Sequence, residues 1–160
     1  MNKENDCALI EWEFARKNTI EFINYLSEEE LDLELPRKGL NTFRKHFQEM
    51  LAVQEAYIDG IKTGKMEFNI ADDKYYSINS KEELIKKLTI IDIEMKNVIA
   101  NKKFNYEVIW GDGEFKTIAS HMCALTTHEI FHIGQLVAFL FVLKLPIPEH
   151  LADVWILPKL

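Results

Sequence analysis

Only two cysteines, Cys7 and Cys123, occur in 160 residues, too few for the disulfide framework on which small secreted folds depend. No charged start followed by a long apolar run marks a signal peptide. The most apolar stretch, Leu136 to Leu143, is far shorter than the roughly 20 residues a membrane-spanning helix requires. A cytoplasmic protein with no membrane partner is expected. A basic patch is also missing: the formal charge is −7, with acidic residues spread along the chain, a field that repels phosphate backbones and excludes nucleic acid as a partner. Internal repeats, low-complexity segments and linkers are absent. The chain therefore reads as one domain over residues 1–160, and its 48% hydrophobic content suffices for one real core.

What is present is helical periodicity. Ala8, Trp12, Ala15, Thr19, Phe22, Ile23 and Leu26 share one stripe at 3.6 residues per turn, which predicts a first long helix over Asn5 to Leu26 with Glu11, Arg16, Lys17 and Asn24 on the opposite side. Ser27 and Glu30 are placed to cap a short turn, and Pro36 ends any continuation. Asn41 is the expected N-cap of a second long helix, whose broad apolar arc runs from Phe43 through Phe47, Met50, Leu51, Tyr57 and Ile58 to Ile61 and takes in His46 toward its edge. The irregular segment from Thr63 to Asn79 is long enough to carry the chain back across a bundle, so the helices it joins need not be antiparallel. Ser80 and Glu83 form a capping box for a third long helix through Leu84, Leu88, Ile91, Met95 and Val98. Asn101 to Lys116 resembles a small hairpin turning at Gly-Asp-Gly, and a fourth long helix is expected from Thr117 to about Leu145, stopped by Pro146 and Pro148. The fold expected is all-α, a four-helix bundle with long crossover connections and a small β-hairpin before the last helix.

The candidate chemistry lies in histidines. Residues four apart on a helix are offset by roughly 40°, so His128 and His132 project from one face at successive turns. The apolar neighbours Leu125, Leu136 and Phe139 turn that face inward. His46 supplies a third imidazole from another helix, and an interaxial gap of about 8–10 Å can be closed around one cation by side chains from both sides. Unpartnered buried imidazoles destabilise the fold, whereas a cation accepts each lone pair. Three histidines leave one coordination position open, as catalytic zinc sites do. Bound water or thiol would be deprotonated there, and imidazole suits zinc, nickel, copper and iron alike. His121 lies eleven residues, roughly 16 Å of helix rise, before His132 and cannot join the same ion; it is read as a pocket wall or bundle-end residue. His150, in the C-terminal tail, has no positional argument.

A histidine early in the second long helix followed by His128-Glu-Ile-Phe-His132-Ile-Gly-Gln135 late in the fourth resembles the DinB/YfiT-like family, and the proline turn at Leu145-Pro146-Ile147-Pro148 with its short tail extends the likeness over nearly the whole chain. One departure is Ile133, where the family commonly carries arginine. The resemblance implies a four-helix bundle with a metal at one end, frequently a homodimer. It also implies a divalent-metal enzyme, a transferase using a low-molecular-weight thiol such as bacillithiol, mycothiol or glutathione, or a related hydrolase, acting on a small-molecule substrate. Zinc or nickel held by His46, His128 and His132 is the expected cofactor, with the thiol as co-substrate.

Two other readings compete. His-Glu-Ile-Phe-His is a formal match to the His-Glu-x-x-His motif, which would make Glu129 the general base of a metallopeptidase. The longer zincin pattern is missing, because Gln135 and Ala138 stand where its glycine and third histidine would be. The other alternative is a metal-stabilised bundle that binds a small molecule without turnover. Gln135 and Cys123 are read as core residues, Cys7 as an unreactive thiol, and Trp12 and Trp110 as packing aromatics.

Overall fold

The computed structural model describes residues 3–68, 73–104, 106–111 and 113–157. Among them, four long helices, α1 (Lys3–Tyr25), α3 (Phe43–Thr63), α4 (Lys81–Ala100) and α5 (Ile118–Leu143), are accompanied by the short helices α2 (Glu28–Leu31) and α6 (Glu149–Trp155). A hairpin of β1 (Val108–Ile109) and β2 (Phe115–Lys116) precedes α5. The fold is an all-α bundle decorated by this hairpin, as expected.

The contacts between the helices set the topology. α1 packs against α5 and α4, and α3 packs against the same two, so the four rods form a closed ring. His46 meets His132 while Tyr57 meets His121, which makes α3 and α5 antiparallel. Arg16 faces Asp92 and Glu13 faces Lys96, so α1 and α4 are antiparallel as well. Thr19 reaches Glu129 and Tyr25 reaches Pro146, so α1 and α5 run the same way. It follows that α3 and α4, adjacent in both sequence and space, are parallel. The 64–80 connection must therefore return along the bundle, and Lys65 bridges Ile109 of the hairpin on that route.

Local chemistry fixes the element ends. Ser27 and Glu30 make a reciprocal capping box around α2, and the Ser80 side chain accepts from the Glu83 amide at the start of α4. The N-cap of α3 is Thr42, not Asn41: the Thr42 hydroxyl accepts from the Lys45 amide, while Asn41 accepts from the Lys45 ammonium. Gly64 closes α3 at φ 77, a left-handed position where glycine carries no Cβ penalty. Helix α6 departs from the expected tail; seven residues after Pro148 carry too little periodicity to read.

The core is aromatic at the end of the bundle where the expected ligands lie. Phe22, Phe43, Phe47 and Phe139 pack edge-on or tilted with centroids 5.7–6.1 Å apart, all buried. Trp12 lies fully inside as packing. Two expectations are corrected. Arg16, assigned by the helical wheel to the polar side of α1, is only 4% exposed, because ion-pair partners on two other helices accept it inside. Cys123 is exposed rather than core, since it lies on the outward side of α5. Among the described residues, α5 alone is long and apolar enough to cross a membrane, yet half of its most apolar stretch is buried against the other helices.

Candidate metal centre

His128 and His132 project from successive turns of α5 toward α3, where His46 and Glu49 project from one turn. His132 is the hub. Its Nδ1 lies 2.8 Å from His46 Nδ1, and its Nε2 lies 3.1 Å from His128 Nε2 and 2.8 Å from Glu49 Oε2. Glu49 Oε1 is 3.4 Å from His128 Nε2. The donor atoms of Glu49, His128 and His132 all fall within 4.8 Å of one another, the spacing a single ion needs. His46 stands against this group through His132, with Phe139 edge-on to its ring at 5.0 Å.

The electrostatics suit a cation. Burial pushes Glu49 up, but the imidazoles of His128 and His132 more than offset this and hold it at about 2, so it is a carboxylate at neutral pH. Burial, reinforced by His132, holds His46 down at about 4, leaving a neutral ring with a lone pair to donate. His132 Nε2 faces both Glu49 Oε2 and His128 Nε2, and a neutral ring has at most one proton on that nitrogen to share between them. Acceptors that outnumber the donors beside them are costly in a protein interior, and a divalent ion is the group that would satisfy them. Two or three imidazoles with one carboxylate fit zinc or nickel. His128, on the solvent side, leaves the cluster accessible; a groove of about 470 Å³ lies farther along α3, lined by Ala52, Ala56, Gly60 and Thr63 and by none of the candidate ligands.

Glu49 escaped the sequence reading. Its only signal was its place three residues after His46, and glutamates at that spacing are commonplace on helix surfaces. The other flagged residues separate cleanly. Glu129 turns away from the cluster: its carboxylate is fully buried, 3.0 Å from Arg16 Nη2, and accepts from the Thr19 hydroxyl at 2.5 Å. Burial pushes its pKa up against the opposing effect of Arg16. A carboxylate so engaged does not face a metal-bound water, which removes the base that the peptidase reading requires. Gln135 is half-buried, and His150 lies near Glu21.

His121 is a satisfied core histidine at the hairpin end of the bundle. It accepts from Trp110 Nε1 at 3.2 Å and its Nε2 faces the Tyr57 carbonyl at 3.0 Å, which assigns the proton to Nε2. Burial holds it at about 4. The folded chain thus binds fewer protons here than the unfolded chain, whose histidines titrate near 6.5. The stabilisation is complete above pH 6.5 and is lost as pH falls toward 4. Between pH 7 and pH 5 the loss from this group is about 2 kcal/mol. Urea melts across that range are expected to show the slope, and His121→Gln to flatten it by about that amount; an unchanged slope would contradict the assignment.

Two imidazoles from the last long helix and a carboxylate from the second, gathered inside a four-helix ring, define a bundle with a candidate metal centre. A family model described as the DinB superfamily matches residues 11–136, and the chain belongs to that superfamily. Comparison with curated proteins gives no match.

Proposed function

We propose that this chain is a metal-dependent enzyme that transfers a low-molecular-weight thiol to a small electrophilic substrate. One zinc or nickel ion would be held by Glu49, His128 and His132, while His46, the third expected histidine, meets the other ring nitrogen of His132 and would orient that ring. The observation that carries this reading is the convergence on His132 of three further donors from two helices. When bound, such a cation lowers the pKa of a coordinated thiol or water and so supplies a nucleophile at neutral pH. The chain's own residues prepare the place: Glu49 arrives ionised and His46 neutral, so neither must lose a proton to donate. His128, partly exposed, marks the open side of the cluster. The engagement of Glu129 by Arg16 favours thiol transfer over hydrolysis, since among the described residues no second carboxylate at the cluster is placed to serve as a base.

The test is thiol consumption with a chlorodinitrobenzene electrophile, run with bacillithiol, mycothiol and glutathione in turn, on metal-loaded and chelator-stripped protein. Metal-dependent loss of thiol in any series supports the reading. Stoichiometric metal without turnover of any thiol would leave only a metal-stabilised binding bundle.

A cytoplasmic location is proposed with it, in keeping with free, exposed cysteines at Cys7 and Cys123. The partner proposed is a second copy of this chain, seated on the outward face of α5. That face carries Ile130, Phe131, Phe141 and Val142 in the open and no charged side chain.

A further inference from the structure

Behind the metal centre lies a polar cluster to which each of the four long helices contributes. Arg16 of α1 donates to Gln54 Oε1 of α3 at 2.6 Å through Nη2, and the same nitrogen lies 3.0 Å from Glu129 Oε2 of α5. Its Nε stands 3.4 Å from Asp92 Oδ1 of α4, and Gln54 Nε2 donates to that oxygen at 3.0 Å. Thr19, one turn from Arg16, holds the other oxygen of Glu129. Arg16, Gln54 and Glu129 are all nine-tenths or more buried.

The placement of this cluster relative to the ligands is specific. Glu129 sits between His128 and His132 in sequence and about 100° around the axis from His128, so whatever fixes Glu129 also fixes the direction in which the two imidazoles point. Gln54 lies five residues beyond Glu49 on α3. Replacing buried ion pairs by apolar side chains is often neutral or stabilising, so stability alone does not account for a charged cluster here. Apolar packing is also non-directional, whereas a planar guanidinium donates only along fixed N–H directions, here through Nη2 to both Gln54 and Glu129. We propose that Arg16 is a positioning residue for the metal centre: held at once by Gln54 and Glu129, it sets the rotation of α3 and α5 so that Glu49 faces His128 and His132. This rests on the metal reading above and adds a residue from a helix that supplies no ligand.

The experiment compares the full chain with Arg16→Met/Glu129→Leu, which removes the pair together and leaves Asp92 held by Gln54, and with Arg16→Lys, which keeps the charge but not the planar guanidinium. Zinc affinity is read by competition with a chromophoric chelator, the geometry by the visible spectrum of the cobalt-substituted protein, and the fold by circular dichroism and thermal melting. The expected result is a folded double variant whose zinc affinity falls about 10–100-fold, the range usual for residues that orient ligands, with an altered cobalt spectrum. Arg16→Lys should move both readouts in the same direction. A folded double variant with native affinity and spectrum overturns the proposal. Should the double variant fail to fold, native affinity and spectrum in Arg16→Lys overturn it instead. Native zinc binding by His132→Ala would give a different pattern, one that sinks the metal reading itself and this inference with it.

Discussion

His132→Ala is expected to abolish stoichiometric zinc or nickel binding while the bundle stays folded. His132 touches every other donor, so its loss removes one ligand and also releases His46 and the Glu49 carboxylate from their shared centre. Residues that merely orient a ligand cost about 10–100-fold in affinity, so loss of the hub should exceed about 100-fold. Elemental analysis of the purified variant measures it directly, and His121→Ala, which changes a ring at the other end of the bundle, should retain native stoichiometry. Thermal melting gives a second readout. A ligand present at 100 times its dissociation constant stabilises by about 2.7 kcal/mol, which in a chain of this size raises Tm by about 5–10 °C. That rise should appear in the native protein and vanish in His132→Ala. Full metal content in the variant would refute the assignment.

Particular residues show how far the sequence could be read. The four long helices were legible because their apolar stripes persist for five or more turns, and the starts of α2 and α4 because Ser27 and Ser80 have glutamates three residues on. His128 and His132 were legible because a spacing of four on an inward face is itself geometric information. Glu49 was not, because its relevance depends on α3 and α5 being antiparallel neighbours, a fact of packing that no local window contains. Arg16 failed for the converse reason. The wheel of α1 puts it outside the apolar stripe, but that side of the helix looks across at Glu129 and Asp92, and a charge can be buried where opposite charges meet it. Cys123 shows the same limit in reverse: its apolar character suggested the core, and only the rotation of α5 places it outside.

That rotation leads to the second large effect, the expected dissociation of a dimer by a charge placed on α5. The one charged residue of this helix, Glu129, points inward, so the outward side offers an uncharged strip in which Phe131 and Val142 are about two-thirds exposed. Gly134 stands in the middle of the strip. A glycine inside a helix costs about 1 kcal/mol relative to alanine. Within its own chain nothing lies within 4 Å of where a Cβ would be, so internal packing gives no reason for it. A second α5 crossing at this point gives one, because two helices approach most closely where one lacks a side chain. A two-fold contact of this kind presents the same strip from both copies, so Phe141→Glu would introduce two like charges into one interface, a cost of several kcal/mol. Association should weaken by more than about 100-fold. Gly134→Leu, which adds bulk without charge, should shift the equilibrium the same way. Light scattering coupled to size exclusion is expected to report a dimer at micromolar concentrations for the native chain and a monomer for both variants. Each variant should keep native helicity and zinc stoichiometry, since neither position touches the core or the ligands. A native chain that runs as a monomer, or variants that remain dimeric, would remove α5 as the contact.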